Sequence, residues 1–336
     1  MKNKDQQPKN RSIYSQMIER MSRQHHKWTA EEIKTFYLSK EKAFQVTNDG
    51  AITYDSKISE HYDLINHGAH FPTFDFSALI TAVCYLTKFS IREHGNTFIT
   101  HDLRHTWAWC AELLLSYTDE HWDILKREPI RELLKLATYA ALSNGKGVLS
   151  GQENQDHAHF ENNLLNEKDT ILDYLAFPLI ESVTKLACRE YIAHNGSIIK
   201  NIKIRHPTNN KIINLKAPDY CSSIKNLLHL MYETCNSPTL RESIDKITEC
   251  IKTAHGEHPF DQIFRWRNGA LHGEMEPKAA GSLLLSMSLL ILLHEIENDF
   301  ESIRKAVHFK WEYQNIRGDN KPFNFYPPDP GEYWYR

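Results

Sequence analysis

Residues 283 to 293 read LLLSMSLLILL, a run that is apolar on almost every side of a helix. A surface helix needs only an apolar stripe, whereas an apolar cylinder must be covered on several sides. The run therefore predicts either the central helix of a domain or part of a helical dimer interface. It is too short to cross a bilayer, which takes about 20 apolar residues, and His294 and Glu295 follow at once. No other window reaches that length, so no membrane span is expected, and MKNKDQQPKNR at the N-terminus has no apolar stretch behind it to make a secretory signal.

Helical periodicity accounts for most of the rest, and predicts an all-α chain. Thr29 stands three residues before Glu32, the spacing of a capping box, and opens a helix to about Phe44. Asn48, Asp49 and Gly50 then favour a turn. Further helices are expected at 75–86, 102–117 and 130–142, and one long pattern at 169–194 contains Pro178 as a kink or restart. Others follow at 222–232, at 237–253 behind the Ser237-Pro238 cap, and as a single helix over 278–310. One stretch has another texture. In residues 196–216, Ile198, Ile202 and Ile204 and then Ile212 and Leu215 flank a polar HPTNN turn, which predicts a small β-hairpin. Polar residues 151–163 read as a linker between a helical N-terminal region (1–150) and a second helical domain (164–310). Residues 311–336 hold four prolines and the aromatics Phe325, Tyr333 and Trp334, and read as an extended strap packed on the body.

The net charge of −3 excludes a bulk-cationic nucleic-acid coat but leaves room for a local RNA-binding groove. Six cysteines without a CxxC pair suggest a reducing, cytoplasmic setting, with Cys84, Cys110 and Cys188 as buried thiols. No phosphate-binding GxxxxGK[ST] loop, GxGxxG turn or GxSxG elbow is present. His101 and His105, four apart with Asp102 between them, have the spacing of metal ligands. They read better as part of a capped helix that packs Trp107 or Trp109, and no metal or other cofactor is expected.

The most informative segment is RWRNGALHGEMEP at 265–277, which sets Arg267, Asn268, His272 and Glu274 just before the apolar helix. Asn268 and His272 share a helix face, while Arg267 and His272, five apart, diverge by about 140°. Gly269 and Gly273 weaken a regular helix and permit close approach of another backbone. Arg267-Asn268 followed by His272-Gly273 resembles the RNxxxH signature of the HEPN superfamily, with the domain spanning 164–310. The resemblance implies a helical bundle, a homodimer and a metal-independent endoribonuclease, of a kind common in toxin–antitoxin and antiviral systems. It implies Arg267 and His272 as the catalytic pair, Asn268 as their support, and Glu181, from an early helix, as a fourth polar residue. Arg189 is a weaker candidate for that place. The same family includes non-catalytic modules that bind nucleotide or a protein partner, and the N-terminal region would be either a helical extension or a diverged second copy. Glu274 and Glu276 fit RNA poorly, because they would repel phosphate if they faced the groove. Lys200, Lys203, Lys211 and Lys216 give the hairpin a basic patch that serves either RNA phosphates or simple protection of a sheet edge.

Overall fold

A computed structural model describes residues 27–41, 44–46, 52–54, 64–90, 101–116, 128–142, 168–205, 211–255, 258–273, 280–317 and 325–326. Residues 1–26, the polar segment 151–163, and Tyr333 and Trp334 of the strap lie outside these residues. The chain is all-α with small β-hairpins. Its helices are α1 (Ala30–Glu41), α2 (Phe76–Ser90), α3 (His101–Ser116), α4 (Glu128–Leu142), α5 (Lys168–Ala187), α6 (Ile224–Thr234), α7 (Pro238–His255), α8 (Pro259–His272), α9 (Ala280–Glu295) and α10 (Phe300–Arg317).

Helix starts follow local chemistry. The capping box forms: the Thr29 backbone N–H donates to Glu32 Oε2 at 2.8 Å, and the Glu32 N–H to Thr29 Oγ1 at 3.3 Å. Asp75 Oδ1 accepts from the Ala78 N–H at 2.7 Å, and Ser237 Oγ from the Leu240 N–H at 3.2 Å, with Pro238 next in line. Pro178 lies inside the continuous helix α5.

The apolar run is the axis of the molecule. Every residue of α9 from Ala280 to Leu293 is buried, and its neighbours are α2, α3, α4, α5 and α7. Residues on both sides of segment 151–163 thus share one apolar core. Trp107 of α3 is fully buried and donates its Nε1–H to Ser286 Oγ of α9 at 2.9 Å. Asp173 of α5 accepts from the Gly281 N–H, so a carboxylate from one helix caps another. Since its own chain covers α9, that helix is the central one, and offers no face to a dimer seam.

Several boundaries depart from the sequence reading. The single helix expected over 278–310 is two helices turned by 67°, joined by a 3-10 turn at Glu297–Asp299. No proline or glycine marks the break. It falls where the apolar run gives way to EIEND, and Ile296 leaves helical geometry. The long pattern at 169–194 stops at Ala187. Beyond it Asn195 Oδ1 accepts from the Ser197 N–H at 3.0 Å, Gly196 takes a positive φ of 91°, and Ile192 pairs with Ile198. After α1 the chain forms a short antiparallel hairpin, β1 (Phe44–Val46) with β2 (Ile52–Tyr54), and the expected turn at Asn48, Asp49 and Gly50 lies outside the described residues. The predicted second hairpin is present: β3 (Ile202–Arg205) pairs antiparallel with β4 (Ile212–Leu215), in the register Ile202↔Leu215 and Ile204↔Ile213. Of the strap, Phe325 and Tyr326 are buried. The Phe325 N–H donates to Glu112 Oε2 at 2.9 Å, and Tyr326 packs edge-on against Trp109.

Candidate functional site

The RWRNGALH segment lies within α8. His258 caps its start, with Nδ1 accepting from the Phe260 N–H at 3.3 Å, and Pro259 occupies the first turn. Residues 260–272, mixed in sequence texture, form one regular helix in spite of Gly269. Gly269 is buried, which suits close packing, while Gly273 takes φ 69° and closes the helix in the left-handed conformation. RNxxxH thus occupies the last turn and a half of α8, and Glu274 and Glu276 lie outside the described residues.

Arg267 is a half-buried side chain, 28% exposed, that reaches back to α5. Its Nη2 lies 3.6 Å from Glu181 Oε2, and Nη1 lies 3.5 Å from Asn268 Oδ1. Both distances are long for a hydrogen bond, so the guanidinium is held by charge more than by a fixed bidentate fork. Glu181 also accepts from Lys185 Nζ at 2.7 Å, one turn along α5. Two cations therefore flank one carboxylate at the α5–α8 edge, an arrangement with a net positive charge. Arg189 is elsewhere: it pairs with Glu295 at 2.6 Å, at the far end of α5.

His272 is exposed at the C-terminus of α8 and makes no hydrogen bond or ion pair among the described residues. On the helix it points about 140° away from Arg267. The structure thus brings together Arg267, Asn268 and Glu181, and sets His272 on a different side of the same helix. Lys185 was missed in the sequence, since only the α5–α8 packing makes it a neighbour of Arg267. Arg265 was missed too. It is exposed and seven residues before His272, about 20° off the same helix face.

The rival clusters are committed to structure. Asp102 is fully buried and accepts from Tyr37 Oη at 3.1 Å and from the Leu64 N–H at 2.6 Å. His105 is buried against Tyr326, and Trp107 and Trp109 are buried with it. Among the described residues no three His, Cys, Asp or Glu side chains converge as metal ligands. Burial pushes the Cys84 thiol up to about 11 and Cys188 up to about 12, and raises Cys110 further, which leaves these thiols protonated and inert at neutral pH. Comparison of the chain with protein-family models, with curated proteins and with solved structures finds no match.

Proposed function

We propose that this protein is a HEPN-type, metal-independent endoribonuclease that works as a homodimer. The observation that carries the reading is that one helix presents both a loosely held, half-buried Arg267 and an exposed His272 with no hydrogen bond or ion pair among the described residues. RNA brings its own nucleophile, the 2′-hydroxyl. In the proposed reaction that oxygen attacks the adjacent phosphorus, the P–O5′ bond breaks, and the products are a 2′,3′-cyclic phosphate and a 5′-hydroxyl. In this step the 2′-hydroxyl loses a proton and the leaving 5′-oxygen gains one, and the His272 imidazole, which can accept or donate a proton, serves this transfer. Arg267 holds a non-bridging oxygen and opposes the charge that grows on it. Glu181 keeps the guanidinium at the α5–α8 edge, and Asn268 supports it.

Arg267 and His272 diverge around α8, so one groove that uses both is built most simply from two copies. The dimer contact must lie outside α9, which is enclosed. A regulatory partner such as an antitoxin, and a role in toxin–antitoxin or antiviral defence in the cytoplasm, belong to the same proposal.

The test is cleavage of single-stranded RNA in EDTA. His272→Ala should slow it by about 10²- to 10⁴-fold, and Arg267→Ala by about 10²- to 10³-fold. DNA of the same sequence should stay intact. Equal rates in wild type and both variants would end the assignment. A second reading, a non-catalytic HEPN module that binds nucleotide or a protein partner, draws on the hold of Glu181 on Arg267. It predicts no cleavage product under any of these conditions.

A further inference from the structure

Between Gly196 and Cys221 the chain carries Lys200, Lys203, Arg205, Lys211 and Lys216 against one acid, Asp219. This is a local excess of positive charge on a chain whose net charge is −3. All five cations are exposed. For two of them the hairpin register explains why: Ile204 and Leu215 are buried on the inner face, while Lys203↔Asn214 and Arg205↔Ile212 make up the outer one. Neither Lys203 nor Arg205 has an acidic partner among the described residues. Ion pairs among the described residues therefore do not account for Lys203 and Arg205.

The root of the hairpin stands beside the candidate site. Gly196 and Cys221 are joined by a hydrogen bond of 2.9 Å from the Cys221 N–H to the Gly196 carbonyl. A Cβ placed on Gly196 would lie 3.8 Å from Lys185 Nζ, the ammonium that binds Glu181. Glu181 in turn faces Arg267. A chain of contacts thus runs from Arg267 through Glu181 and Lys185 to the root of the hairpin, whose strands carry the exposed cations further out. Tyr220, paired with Ser197 at that root, is 68% exposed. An exposed aromatic ring on a segment rich in exposed cations is the combination that single-stranded nucleic acid uses, with charge for the phosphates and a π-face for a base.

We propose that the β3–β4 hairpin is the strand-binding wall of the site. Lys203 and Arg205 contact phosphates of a single-stranded RNA, and Tyr220 stacks on a base where the strand enters beside Lys185. The inference deepens the ribonuclease reading and rests on it for the choice of RNA. Its test is kept separate from cleavage by a 2′-O-methyl oligoribonucleotide, which has no free 2′-hydroxyl to attack.

Binding of that oligonucleotide is measured by fluorescence anisotropy across a salt series. Each phosphate contact on a single strand contributes about 0.7 to the slope of log K against log salt. The double variant K203Q/R205Q should therefore lower the slope by about 1.4, and weaken binding by roughly 20-fold near 0.1 M salt. Tyr220→Ala should cost about fivefold or more with the slope unchanged, and Tyr220→Phe should restore affinity. The control K34Q/K305Q, which removes the same charge elsewhere, should change neither quantity. Wild-type affinity and slope in K203Q/R205Q would overturn the inference, as would an equal loss in the control or an absence of binding by the wild type. A hairpin that serves an acidic protein or an anionic membrane gives the first of these results. If cleavage depends on Arg267 and His272 while the hairpin variants bind normally, only the hairpin proposal fails. If binding depends on the hairpin while H272A and R267A cut as fast as wild type, only the nuclease assignment fails.

Discussion

Gly281 shows how much one missing methyl group can decide. A Cβ there would lie 2.6 Å from Asp173 Oδ1, 2.8 Å from the Asp173 backbone nitrogen and 2.9 Å from Leu172 Cγ. Backbone cannot yield as the tip of a flexible side chain can, so α5 and α9 would have to separate. Gly281→Ala is expected to cost about 1–3 kcal/mol, read as a lower urea midpoint at unchanged slope. Nothing near Gly281 in the sequence announces this, because its neighbour Asp173 is more than a hundred residues away. Arg267, Asn268 and His272 are legible by contrast, since their spacing is local and their residue types suit phosphate chemistry. Glu181 was a candidate by family resemblance, and its 3.6 Å approach to Arg267 is a tertiary fact. Lys185 and Tyr220 became visible only once α5 had been placed beside α8 and the hairpin root.

At the scale of elements, the break after α9 carries a pH signature. His294, in its last turn, packs edge-on against Phe76 at 5.1 Å and lies 3.3 Å from Glu297 Oε2 through Nδ1. Burial holds the imidazole below its ordinary 6.5, and Glu297 partly offsets this. The unfolded chain therefore binds the proton at a higher pH than the folded one does. The stability contributed by neutral His294 is fully present above about pH 6.5 and is lost as pH falls below it. The stability difference between wild type and His294→Gln should be flat from pH 8 to 7 and shrink towards pH 5, as followed by urea titration. A difference constant over that range would contradict the assignment. Capping residues made α1 and α7 readable, because a cap is a contact within three residues, whereas α8, with His258 as its cap, was not expected as a regular helix. The two failures of boundary, at 187 and 296, lie where a helical pattern continues but tertiary packing redirects the chain.

For the whole molecule, the enclosure of α9 removes the apolar run from any dimer contact, so a dimer would have to use another surface. A composite groove, with Arg267 from one copy and His272 from the other, makes a sharp prediction. Inactive R267A and H272A proteins, unfolded together and refolded, should regain about one quarter of the wild-type rate. Half the dimers are then mixed, and one of the two symmetric sites in each is intact. A site formed within one chain would regain nothing. The sequence by itself determined the helical class, the second hairpin, the buried apolar helix and the local Arg–Asn–His pattern. Periodicity, capping and residue chemistry act over a few positions and survive being read in one dimension. Only the tertiary structure decided that α9 is central rather than interfacial, that both parts of the chain share one core, that Glu181 stands between Arg267 and Lys185, and that the hairpin root lies against Lys185. Those contacts join residues tens to hundreds of positions apart, and packing among helices, rather than any local preference, chooses them.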